Sequence, residues 1–75
     1  DYADDLIMKT KINAKLLLDK DILNLNYSVE VVNSVVYLIG IAQSQEELDS
    51  VINISESTYG VQNVINYVRL KDINS

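Results

Sequence analysis

The chain contains no cysteine, histidine, proline, tryptophan or phenylalanine, and only two glycines, Gly40 and Gly60. Without cysteine there are no disulfides, thiolate zinc sites or cysteine nucleophiles. Without histidine the commonest general base, the Ser-His-Asp triad and most transition-metal sites are excluded. The longest apolar run, Val35 to Ala42 with Gly40 counted in, is far too short for a membrane-spanning helix. Cations are also scarce, with six basic residues against eleven acidic ones and a net charge of −5. Phosphate-backbone binding needs clustered Lys and Arg, so nucleic acid is not an expected partner.

What is present is an apolar fraction of 48% in 75 residues. That is ample for a core and too high for a disordered segment. A chain of this length forms a single domain and buries only about 60% of the surface its unfolded form exposes. With no disulfide or thiolate metal staple, the fold must rest on apolar packing or lean on a neighbour. Residues 1–75 are therefore read as one domain. Because the chain begins at Asp1 without Met, it is expected to be excised from a longer protein.

Five segments stand out. From Ala3 to Leu18 the sequence is rich in Leu, Lys and Ala, and Met8, Ile12 and Leu16 recur at helical spacing. Asp4 and Asp5 lie where the helix dipole favours anions. Tyr27–Val32 and Val35–Ile41 are β-rich and flank Asn33-Ser34, a two-residue turn candidate. That turn puts Val29, Val31, Val36 and Leu38 on one wholly apolar face, and Ser28, Glu30, Val32, Val35, Tyr37 and Ile39 on the other. Ser44 and Glu47 form a capping-box signature, followed by Leu48, Val51, Ile52, Ser55 and Tyr59 at helical spacing. Gly60 is expected at C′ of that helix. Val64–Leu70 alternates as a strand, with Asn66 on the helix-facing side as a buried amide.

The order α-β-β-α-β predicts an α+β two-layer sandwich, a three-stranded mixed sheet with two helices on one face. The third strand should lie parallel to the second, and beside it rather than beside the first. Gly40 should mark a point where a side chain meets backbone or needs unusual dihedrals.

The blocks Val29-x-Val31, Asn33-Ser34-x-Val36-x-Leu38-x-Gly40 and Gly60-Val61-x-x-Val64-x-Asn66 resemble the BON domain over nearly the whole chain. The departure is Ser34, where that family usually has Gly, which leaves the turn type open. The resemblance implies a non-enzymatic module of the bacterial periplasm, outer-membrane associated through its parent protein. It also implies phospholipid binding as a recurring activity and a possible sister domain of the same kind.

Two surfaces exceed what a core needs. On the first helix Ile7, Ala14 and Leu18 fall together away from the core stripe, with Leu6 and Leu17 between the two and Lys11 at the border. Four of the six basic residues, Lys9, Lys11, Lys15 and Lys20, lie in or just after this helix. Lys beside an apolar stripe suits an anionic lipid surface, so Ile7, Lys11, Ala14, Lys15 and Leu18 are the candidate lipid-binding residues. The alternative is that this stripe packs on Ile22–Leu25 or on a sister domain. The second surface is the other sheet face, where Val35, Tyr37, Ile39, Ile65 and Tyr67 form a candidate interaction face for an envelope protein or sister domain. Asp19 and Asp21 lack calcium-loop spacing and its Gly, and no metal or cofactor is expected. Ser44 has no base to activate it.

Overall fold

A computed structural model describes residues 1–71. Helix α1 spans Tyr2–Leu18, strand β1 Tyr27–Val32, strand β2 Val35–Ala42, helix α2 Gln45–Ser57 and strand β3 Asn63–Leu70. This is the expected α+β order. A 3-10 turn at Asn24–Asn26, not anticipated from sequence, precedes β1. The sheet order is β1-β2-β3, with β1 antiparallel and β3 parallel to β2.

Helix α1 starts one residue earlier than expected because Asp1 caps it, its side chain accepting the Asp4 N–H at 2.9 Å. The hairpin register is the expected one, Val32 opposite Val35 and Val29 opposite Leu38. Both turn residues have positive φ, +51° at Asn33 and +67° at Ser34, the requirement of a type I′ hairpin turn. A left-handed conformation costs a residue such as Ser34 about 1 kcal/mol. The carboxylate of Asp5 helps to hold the turn in place. Its two oxygens accept the N–H groups of Asn33 (2.8 Å) and Ser34 (2.9 Å). Asp5 is thus more than a helix-dipole partner: it is buried and ties α1 to the hairpin tip.

The core is one cluster formed by Ile12 and Leu16 of α1, Ile22, Val29 of β1, Val36 and Leu38 of β2, and Val51 of α2. These residues line one face of the sheet, and both helices cover that face. Ile22 joins the core, but Leu23 and Leu25 are exposed and do not cover the outer stripe of α1.

At α2 half of the capping box forms. Ser44 Oγ accepts the Glu47 N–H at 3.1 Å. The Glu47 carboxylate does not turn back to Ser44. It is buried and accepts from the backbone N–H of Gln43 (3.2 Å), the N–H of Leu23 (3.4 Å) and the hydroxyl of Tyr27. These donors satisfy a carboxylate that would be costly to bury alone. Burial, then the hydrogen bond and charge of Glu47, push the Tyr27 hydroxyl pKa up.

Three expectations are corrected. Gly60 has positive φ (+93°) but is not the C′ residue, because α2 ends through Thr58 two positions earlier. There the Thr58 hydroxyl donates to the Ile54 carbonyl at 2.8 Å and the Thr58 N–H bonds Ser55 O, so the terminal carbonyls are met without a glycine. Tyr59 consequently lies beyond the helix and is 89% exposed. Asn66 sits on the helix-facing side by register, opposite Leu38, yet it is exposed because β3 is an edge strand that the helices cover only in part. Its amide oxygen accepts the N–H of Val68 in its own strand.

Hydrogen bonding by Ser34 holds the Asp5 carboxyl below its ordinary pKa; burial opposes this, while Asn33 and the terminal amino group add to it. A lowered folded pKa contributes stability that is present above the ordinary carboxylate value and lost as pH falls through the folded value. Asp5→Asn is therefore expected to lower the urea midpoint near neutral pH. The gap to the parent should narrow as the pH falls below the ordinary carboxylate value of about 4. A gap of equal size at both pH values would contradict the turn clamp.

Candidate functional site

The residues proposed on α1 emerge together on its outer side. Met8, Ile12 and Leu16 point into the core, and at about 100° per residue the opposite arc carries Ile7, Ala14 and Leu18. Ile7 is 52% exposed and Leu18 83%, and Ala14 and Lys11 are exposed with them. Leu6 and Leu17 are also exposed and widen the apolar arc on its far flank. The same helical spacing places them there, between the core stripe and the outer one.

The cations divide into two groups. Lys9 is held by Glu30 of β1 in an ion pair at 2.8 Å. Lys15 is exposed but donates to Thr58 Oγ1 at 3.2 Å, so its ammonium is drawn toward the end of α2. Lys11 and Lys20 enter no ion pair among the described residues. The outer side of α2 is different in character, with exposed Glu46, Asp49, Asn53 and Glu56. The two helices therefore present unlike surfaces: α1 an apolar arc bordered by Lys, α2 a polar and acidic one.

The helix-free face of the sheet is the second surface. Register places Val35, Tyr37 and Ile39 of β2 beside Asn63, Ile65 and Tyr67 of β3. Ile39 and Tyr67 are more than half exposed, and Val35, Tyr37 and Ile65 are half-buried by one another and by their neighbours. Ile41 extends the patch along β2 and Val32 extends it onto β1. All five residues expected on this face are there.

One groove, lined by Ile7, Met8, Lys11, Ser34 and Tyr59 among others, measures about 280 Å³. Ligand pockets usually measure about 300–1,000 Å³. Asp19 and Asp21 form a local turn, the Asp19 carboxylate accepting the Asp21 N–H at 2.9 Å. No helix of the described residues is long and apolar enough to cross a membrane. What the geometry offers is two exposed apolar surfaces on a small frame.

Comparison with known proteins gives two findings. The family model described as the BON domain matches residues 4–72. A protein of Anaplasma centrale, described as an uncharacterized protein in the gshII 5′ region, is 49% identical over 71 residues. The match takes in 95% of this chain and 47% of that protein, so the chain spans about half the length of the curated relative.

Proposed function

Because the chain belongs to the BON domain family, a family of non-catalytic, binding-type domains, we propose that it attaches its parent protein to anionic phospholipid membrane through the outer face of α1. The observation that carries this reading is the uncovered apolar arc of Ile7, Ala14 and Leu18, flanked by Leu6 and Leu17 and bordered by Lys11. Such an arc inserts shallowly at the headgroup boundary while Lys meets the lipid phosphates. The acidic exterior of α2 is repelled by the same surface, so the domain is oriented as well as bound. The setting we propose is the bacterial periplasm, at the outer membrane.

Sedimentation with phosphatidylglycerol vesicles tests this. The double variant Lys11→Glu/Leu18→Glu reverses one charge and removes one apolar anchor. Together these should weaken binding by roughly a hundredfold. Unchanged binding of the double variant would rule out the α1 face.

A second reading is favoured by a separate observation, the open apolar face at Val35, Tyr37, Ile39, Ile65 and Tyr67. An exposed patch of this kind suits a protein partner or a sister domain in the parent. On that reading Tyr67→Glu abolishes association and leaves vesicle binding intact.

A further inference from the structure

Strands β1 and β3 are both edges of the sheet, each paired with β2 on one side only. At the β1 edge the Lys9–Glu30 ion pair joins α1 to the strand. Lys71 N–H bonds the Ala42 carbonyl at 2.7 Å, and this fixes the alternation along β3. The N–H groups of Val64, Asn66, Val68 and Leu70 then point away from β2. An unpaired row of this kind is a template for another strand, and β3 has no Pro or Gly and only Arg69 as a charge.

Two of the four outward N–H groups are already occupied. Asn63 Oδ1 accepts the Val64 N–H at 2.9 Å, and Asn66 Oδ1 accepts the Val68 N–H at 2.8 Å. Both contacts lie on the exposed edge. A strand adding to β3 has to displace both amides before it can hydrogen-bond to Val64 and Val68.

We propose that Asn63 and Asn66 guard the β3 edge against strand addition by a second copy of this chain. The sequence of β3 favours itself as the competing strand. In an antiparallel pair centred on Asn66, Val64 faces Val68, Ile65 faces Tyr67 and Arg69 faces Asn63. That register gives aromatic–β-branched pairs with no like charges opposed. It also brings the two Asn66 side chains together on the symmetry axis, so the guard sits where pairing must begin.

Gln keeps the amide but adds a methylene, which carries the oxygen out of reach of the next N–H groups along the strand. The test is sedimentation velocity over a concentration series for the parent, Asn63→Gln/Asn66→Gln and Asn63→Thr/Asn66→Thr. The Thr pair, of higher strand propensity, covers the case in which the Gln pair fails to fold. Self-association at least about tenfold tighter than the parent's, with slowed amide exchange at Val64 and Val68, is the expected result for both variants. Association equal to the parent's, or tighter association that leaves those two amides unprotected, overturns the proposal.

Discussion

Leu38→Ala is expected to lower the unfolding free energy by about 2–5 kcal/mol. Leu38 lies in the central strand, fully buried, between Val29 on β1 and the helix-facing side of β3. It packs in the cluster of Ile12, Leu16, Val36 and Val51, drawn from both helices and the sheet. No flexible side chain lies free to refill the space, since these neighbours are β-branched or themselves fully buried. At about 0.05–0.15 kcal/mol per residue, a domain of this size has roughly 4–11 kcal/mol in total. The substitution therefore removes a large share of it, and the urea midpoint should fall accordingly. Ile39→Ala, one residue along on the exposed face, should cost less than about 1 kcal/mol. Equal midpoints for Leu38→Ala and the parent would contradict the assignment of the buried face.

Gly40→Ala is the second large effect, and it acts through backbone. A Cβ at Gly40 would collide with the carbonyl oxygen of Asn26 and stand 3.0 Å from Tyr27 Cα. Both atoms belong to the chain entering β1, which pairs with β2 at the Tyr27–Gly40 position. Neither can rotate aside, so the strands must separate or the 3-10 turn must unwind. The cost is about 3 kcal/mol or more, from overpacking together with an unfavourable φ of +155°. Gly60→Ala provides the control. There the new Cβ meets the end of a flexible side chain, Met8 Cε at 2.9 Å. Its main cost is the left-handed backbone, about 1 kcal/mol. Denaturation midpoints should rank parent, Gly60→Ala, Gly40→Ala in descending order. A Gly40→Ala midpoint level with Gly60→Ala would mean that the close approach to Asn26 is not a constraint.

Much of this fold is legible in the sequence, because its elements announce themselves through local chemistry. The hairpin register follows from two facts, an Asn-Ser turn and the wholly apolar face it creates. Helix α1 shows its stripe, and Ser44 its cap. What escaped was long-range. Asp5 looks like a dipole partner until the hairpin tip, 28 residues away in sequence, is seen to donate two N–H groups to it. Glu47 looks like the second half of a capping box, but three-dimensional neighbours supplied better donors. The alternation of β3 puts Asn66 on the helix-facing side, but alternation gives the side of a sheet and not whether a helix lies over it. Gly60 has the residue type common at a helix C′ position, whereas the hydroxyl of Thr58 reaches the Ile54 carbonyl first.

The two candidate surfaces were legible for the opposite reason. Each is an excess, apolar residues beyond those a core of this size requires, and an excess can be counted without a structure. The fold places Ile7, Ala14 and Leu18 on one uncovered side of α1, and Tyr37 and Tyr67 on the uncovered side of the sheet. These are different sides of the molecule, so the two proposed contacts do not exclude one another.

The most direct measurement is a backbone amide NMR titration of the chain with phosphatidylglycerol bicelles. Membrane attachment through α1 predicts perturbations confined to Ile7, Lys11, Ala14 and Leu18 and their neighbours on that helix, with Tyr37 and Tyr67 unmoved. Perturbations centred on β2 and β3, or none at saturating lipid, would contradict it.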